Sequence, residues 1–381
     1  MNMSEKYKLI RLTTVDGSLA DLLKGQLRYL SSEFEVVGVA DDSGRLVQVA
    51  EREGVRTVAV PMRREISLSS DVGSLILLIR LFRKEKPYIV HANTPKASLL
   101  SMVAAWLVGV PHRIYTVTGL RFETAHGLFR WVLKTMERIT CACATKVIPE
   151  GDGVAATLRR ERITRKPLRK ILNGNINGVD LGFFDRLPDV EMRAREIVDG
   201  ASDIFSFVFV GRLVRDKGID ELVQAFVEVH AAYPRTRLLL VGTFEERLDP
   251  VSPRTRRWIE GHPAIRAVGY QRDVRPYMAA SDVLVLPSYR EGFPNVVLQA
   301  GAMGLPCIVT DINGCNEAIV DGVNGRIVPK QDADALFDAM KELVENRESL
   351  AKMAGVAREM IASRYAQPDV WKATLEMYKN L

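Results

Sequence analysis

PSYREGFPNVVLQAGAMGLPCIVTDINGCNEAIVDGVNG, residues 287–325, is the stretch from which the rest of the chain can be read. An apolar run, DVLVL at 282–286, precedes it and predicts a short buried strand. A turn follows, carrying Glu291, Gly292, Phe293 and Pro294. A helix is expected over 295–303, opened at Asn295 and stopped by Gly304 and Pro306, and a second strand over 307–310. Strand, loop, helix, strand is a βαβ unit. In open α/β sheets ligands bind at the carboxyl ends of the strands, beside the helix N-terminus, and Glu291 falls on that loop. Gln299 lies eight positions on, about two helical turns.

The same alternation runs through the whole chain. In the first half strands are expected at 8–14, 34–40, 57–60, 88–92, 113–117 and 145–149. Helical segments separate them at 22–30, 47–52, 72–86, 97–108, 127–139 and 154–161. Asn and Gly crowd 171–180 (ILNGNINGVD), which marks turns and a passage between domains, with the boundary expected at 180–200. The second half restarts with strands at 205–210, 237–241 and 265–268 and helices at 219–230 and 274–280. Two long helices, 332–346 and 348–364, precede a last helical segment, 367–381, with Val370, Trp371, Leu375 and Tyr378 at helical spacing. A chain of 381 residues exceeds what one core usually organises, so two domains are expected: 1–185 with a returning segment 365–381, and 200–364.

Composition narrows the partners. The net charge of +6 is unevenly placed: 28 Lys and Arg face 17 Asp and Glu through Lys170, a net +11, and the remainder has 25 against 30. A basic first half calls for an anionic partner. No nucleic-acid motif is recognisable, so no nucleic acid is expected, and anionic lipid at the cytoplasmic membrane surface fits better. The helix at 127–139 carries Phe129, Trp131, Val132 and Leu133 among Arg130, Lys134 and Arg138, a pattern that suits a membrane surface and a core-facing helix equally. No leader or spanning segment is evident, and the four cysteines match no common zinc spacing, so a reduced cytoplasmic setting, peripheral to the membrane, is expected.

Several residues stand where chemistry is expected. Gly17, after the first strand, would let backbone approach a phosphate at a helix N-terminus. His91 and Lys96 flank the carboxyl end of the fourth strand, Lys96 as a contact for an acceptor phosphate and His91 either functional or structural. After the strand at 205–210 comes GRLVRDKG, 211–218. There Arg212 offers a bidentate fork and Lys217 a point charge, the cations that a departing diphosphate needs as its charge develops.

These stretches resemble glycosyltransferase family 4. Glu291 and Gln299 stand at the two positions of that family's Glu, seven residues, Glu signature, within a Glu-Gly-Phe-Pro-Asn context, and 211–218 resembles its Gly-Arg-Leu … Lys-Gly loop. The resemblance covers most of the chain and implies an α/β, GT-B architecture: two Rossmann-like domains facing a cleft, with the C-terminal helix packing back on the first. It implies that Gly211, Arg212 and Lys217 hold the donor diphosphate, that Glu291 with Gly292, Phe293, Pro294 and Asn295 meets the sugar, that Gln299 takes the ribose, and that Tyr270 and Arg272 border the base. Thr118 stands where many members have His, with Arg121 and His126 nearby as acceptor-side candidates. Gln299 can accept a ribose hydroxyl but lacks a carboxylate's charge.

More narrowly, the chain resembles bacterial capsule, O-antigen and surface-glycan transferases. These move a sugar, often an N-acetylhexosamine, from a UDP-sugar to a polyprenyl-diphosphate-linked glycan. With no Asp-x-Asp motif beside the site, neither metal nor other cofactor is expected, and the reaction is expected to retain configuration. Two alternatives stay open: a non-catalytic nucleotide-sugar-binding subunit, and a UDP-N-acetylglucosamine 2-epimerase on the same architecture.

Overall fold

The computed structural model describes residues 6–62, 67–198, 203–246 and 249–381. It divides into two compact units, Met1–Asn177 with Pro368–Leu381, and Gly178–Gln367. The division falls just before the stretch 180–200 in which the sequence reading set the boundary; residue 200, where the second domain was set to begin, lies outside the described residues.

Unit 1 is built on a parallel sheet of β1 (Lys8–Val15), β2 (Glu35–Asp41), β3 (Arg56–Ala59), β4 (Ile89–Ala92), β5 (His112–Val117) and β6 (Lys146–Pro149), ordered β3-β2-β1-β4-β5-β6. Unit 2 repeats the plan with β7 (Phe205–Val210), β8 (Thr236–Val241), β9 (Ile265–Gly269), β10 (Val283–Leu286), β11 (Cys307–Thr310) and β12 (Gly325–Val328), ordered β12-β11-β10-β7-β8-β9. Strands covered on both faces must be apolar along their length. VLVL satisfies this outright; LIRLTT and CIVT are wholly buried too but carry threonines and one charge, Arg11, which needs special partners. In each sheet the order reverses once, between β1 and β4 and between β7 and β10, and such a switch point opens a crevice at the strands' carboxyl ends.

The last helix, Gln367–Lys379, packs on unit 1 as expected, burying Val370, Thr374, Leu375 and Tyr378. Tyr378 accepts from the fully buried Arg11 at 2.6 Å, and the Trp371 indole donates to Asn177 Oδ1 at 2.7 Å. The helix expected over 22–30 is two, Asp16–Leu22 and Gln26–Leu30, because Gly25 between them turns with φ +82°. A Cβ there would lie 2.5 Å from the Trp371 ring. Helices Pro188–Val198 and Pro253–Gly261 and strand β12 have no counterpart in the sequence reading. Within unit 2 the two chain crossings lie side by side: Val179 N–H donates to Tyr365 O at 2.8 Å and Gln367 N–H to Val179 O at 3.1 Å. Among the described residues no helix is long and apolar enough to cross a membrane.

On the helix Gly127–Cys143 a carboxyl, Glu137, is buried against β5 and receives the Tyr115 hydroxyl at 2.9 Å. Burial pushes it up to about 7, and the Tyr115 hydrogen bond only partly opposes this. Because the folded state holds this proton more tightly than the unfolded chain, its stabilising share is full below the ordinary carboxylate range and is lost as pH rises through about 7. Glu137→Gln is therefore expected to flatten the stability profile between about pH 4.5 and 7, gaining on the order of 3 kcal/mol at pH 8 relative to pH 5. Denaturant melts of both proteins across that range are the check, and parallel profiles would show the carboxyl to be ionised throughout.

Candidate active site

The switch point of unit 2 brings together the loops that follow β7 and β10. The first, 211–218, winds into one 3₁₀ turn, Arg215–Lys217, and leaves it at Gly218, with φ +69°. A Cβ on Gly218 would fall 2.1 Å from the Pro287 carbonyl, so only glycine lets the two loops approach this closely. Tyr289 N–H donates to Asp216 O at 2.9 Å, the Arg290 guanidinium reaches Asp216 Oδ2 at 3.0 Å, and Asp216 N–H donates to Asp249 Oδ2 at 2.6 Å. The loops are thus bolted together by main chain as well as side chains.

That bolting delivers Lys217 to Glu291. The ammonium is hydrogen-bonded to Glu291 Oε1, and both side chains remain partly open to solvent, 22% and 15%. The cation and the carboxylate that the sequence assigns to one site are therefore a single ion pair. Arg212, about half exposed, pairs with Glu245 Oε2 at 2.5 Å. Glu245 follows β8 and was passed over in the sequence reading, as were Asp216 and Asp249; its only signal is a position after the strand next to β7.

Beyond Glu291 the chain turns inward. Gly292, Phe293 and Pro294 are buried, and the Phe293 ring lies 5.3 Å from that of Tyr365. They seat the helix Asn295–Ala302. Gln299 projects from it half-buried, with no side-chain hydrogen bond among the described residues. The loop after β11 closes on this turn: Gly314, with φ +75°, would place a Cβ 2.6 Å from Gly292 O. Tyr270 and Arg272 are exposed on the loop after β9, the edge strand two places from β7. Among the described residues no group of three His, Cys, Asp or Glu side chains could hold a metal ion.

The acceptor-side candidates are in unit 1, and several are already engaged by the protein itself. His91, open between a functional and a structural role in the sequence, is buried: its Nε2 meets Thr116 Oγ1 at 2.7 Å, and its Nδ1 meets Tyr378 at 2.5 Å and the Arg11 guanidinium. Burial, with Arg11 beside it, holds its pKa well below the ordinary value, so it is a neutral core residue. Lys96 is buried and paired with Asp71 at 2.7 Å. Thr118 Oγ1 donates to Asn93 O at 2.7 Å, while Arg121 and His126 are exposed. Gly17, expected from the sequence to meet the donor rather than the acceptor, donates its N–H to Asp16 Oδ1 at 2.7 Å, so the anion at this amide is the protein's own. Burial works against the Asp16 carboxylate, but bonds from the Arg45 amide, Ser43 and Gly17 outweigh it and hold its pKa below the usual range.

Two family models match the chain: the glycosyl transferase 4-like domain over residues 23–174 and glycosyl transferases group 1 over 205–346. The capsular polysaccharide biosynthesis glycosyltransferase CapM of Staphylococcus aureus is 31% identical over 99% of this chain and 98% of its own. An Escherichia coli UDP-Gal:alpha-D-GlcNAc-diphosphoundecaprenol alpha-1,3-galactosyltransferase is 29% identical over 91% and 90%. Among solved structures, Anabaena HepE in complex with UDP superposes with a TM-score of 0.81 at 17% identity, covering 99% of this chain and 100% of that one. Sucrose-phosphate synthase of Thermosynechococcus elongatus gives 0.79 at 21% identity, with 98% and 99% covered. The chain belongs to the glycosyltransferases that join a 4-like domain to a group 1 domain, on the GT-B fold.

The Arg212–Glu245 pair makes a prediction about anions. A diphosphate drawing on Arg212 must first compete with Glu245. Glu245→Gln is expected to tighten pyrophosphate binding roughly threefold to tenfold, the range of a partly exposed ion pair. Calorimetric titration reads this directly, and unchanged affinity would mean that Arg212 does not reach the anion.

Proposed function

We propose that the protein transfers a sugar, with retention, from a UDP-sugar to a polyprenyl-diphosphate-linked glycan during bacterial capsule or related surface-glycan assembly, at the inner face of the cytoplasmic membrane. An N-acetylhexosamine is the sugar we favour. The observation that carries this reading is the Lys217–Glu291 pair at the carboxyl ends of β7 and β10, with Arg212 on the same loop as Lys217. Two of the three Lys217 N–H groups are left for phosphate oxygens, and Glu291 Oε2 is left for a sugar hydroxyl. As the bond from the anomeric carbon to the diphosphate breaks, Lys217 and Arg212 neutralise the charge that gathers on the leaving oxygen. Glu291 fixes the sugar, and the Gln299 carboxamide accepts from the ribose. These cations take the place that a divalent metal would otherwise fill, so we propose a reaction that needs no metal or other cofactor. The CapM relative supports the reaction class, and the Escherichia coli relative, named for a diphosphoundecaprenol-linked acceptor, supports a lipid-linked one.

Gln299 favours one second reading, a subunit that binds nucleotide-sugar without turnover, since an unpaired carboxamide holds ribose less firmly than a carboxylate. UDP release from a panel of UDP-sugars, with and without a short-chain polyprenyl-diphosphate sugar, separates the two. Acceptor-dependent release, unchanged by EDTA, is the expected result; binding without release selects the second reading, and epimerised donor without acceptor an epimerase. Lys217→Ala is expected to cost about 10²–10³ in turnover, with a melting temperature within a few degrees of the parent. Full activity in that variant would remove Lys217 from the reaction.

A further inference from the structure

Three neighbouring helices of unit 1, Leu68–Glu85, Pro95–Val108 and Gly127–Cys143, pack side by side in chain order along the sheet. Their inward faces fill the core through Leu78, Phe82, Met102 and Leu133. Their outward faces are not the polar surface expected of helices that only cover a sheet. On the first, Val72, Ile76 and Leu77 are exposed. The second exposes Trp106 and Leu107. On the third, Leu128, Trp131 and Ile139 recur at helical spacing on the solvent side, with Leu128 77% and Trp131 60% exposed. Single exposed apolar residues are unremarkable, but a run of them across three adjacent helices marks an interaction surface.

The charges on these helices are sorted. They carry three carboxylates in all, Asp71, Glu85 and Glu137. Each is turned inward and engaged: Asp71 with Lys96, Glu85 with Lys8 and Arg56, and Glu137 with Tyr115. The cations Arg80, Arg83 and Lys84 face out. On the third helix Arg130 and Lys134 are taken up by Glu161 beside it, but the helices expose no carboxylate of their own, and a face of apolar and cationic groups suits a layer that is apolar within and anionic at its edge. Indole rings with a polar N–H sit well at such a boundary.

We propose that this three-helix face docks on the surface of a bilayer containing anionic lipid, with Trp106 and Trp131 seated at headgroup level and Arg80, Arg83 and Lys84 meeting lipid phosphates. The inference rests on the reading of a lipid-linked acceptor, and it supplies the surface by which the enzyme reaches one. Flotation of the full chain with vesicles of phosphatidylcholine alone, and of phosphatidylcholine with phosphatidylglycerol, tests it. Binding is expected only to the anionic vesicles, weakened by salt, and reduced at least about tenfold in W106E/W131E. That variant is expected to keep its melting temperature and its UDP release with the short-chain acceptor free in solution.

No binding to anionic vesicles, or binding that the double variant leaves intact, overturns the proposal. So does a parent that sediments as a dimer and becomes monomeric in the variant, because the face then meets a second copy. Failure of the transferase reading shows separately, as absent UDP release by a protein that still floats with anionic vesicles.

Discussion

The pairing of Lys217 with Glu291 depends on a constraint set far below the level of side chains. Parallel strands must be connected by crossovers, and a reversal of strand order leaves two loops side by side with no helix between them. In unit 2 those loops follow β7 and β10, and Gly218 lets them close to van der Waals distance. The Lys217–Glu291 pair follows from that contact. Lys217 ends a 3₁₀ turn pinned through Asp216 to Tyr289, Arg290 and Asp249, and Glu291 is the next residue on the pinned partner loop. A cation and an anion held this way are oriented before any ligand arrives, so little ordering remains to be done on binding.

Unit 1 has the same strand order but treats its switch point differently. There the hydroxyls of Thr14 and Thr94 bond to each other at 2.7 Å across β1 and β4, and the Asp16 carboxylate collects the amides of Gly17, Ser43 and Arg45. Lys96 is taken up by Asp71, and His91 by Arg11, Thr116 and Tyr378. One topology thus serves two ends: in unit 2 charged groups paired yet reachable, in unit 1 groups largely consumed by the scaffold.

What could be read from sequence was what is local. Strands such as FSFVFV and VLVL announce themselves because parallel strands buried on both faces must be continuously apolar. Strand β12, GRIV, was missed because Gly325 and Arg326 break its apolar run. Helix Pro253–Gly261 was hidden by Arg254, Arg256 and Arg257, and Pro188–Val198 by its place in an expected linker. Arg212, Lys217 and Glu291 were legible as loop residues, but the Lys217–Glu291 pairing joins positions 74 apart and no local pattern encodes it. His91 was left open between function and structure because the residue that decides it, Tyr378, is 287 positions away. The helix starting at Gly127 looked equally suited to a core and to a membrane surface because it has an apolar residue on each face, with Leu133 buried and Trp131 exposed.

Unit 1 also has an unusual relation to time. Its sheet and first 177 residues are synthesised before unit 2, but the helix that covers Arg11 and meets Gly25 belongs to Pro368–Leu381, beyond the 190 residues Gly178–Gln367. Domains generally fold as they emerge, the earlier one first. Here the earlier unit cannot be completed until the later one has been made, and until then the Arg11 guanidinium keeps its water and the Leu27 and Leu30 side of the core has no lid from the last helix. A ribosome that stalls within unit 2 therefore leaves two incomplete cores, the unfinished one and a first unit whose sheet is made but whose last helix is not.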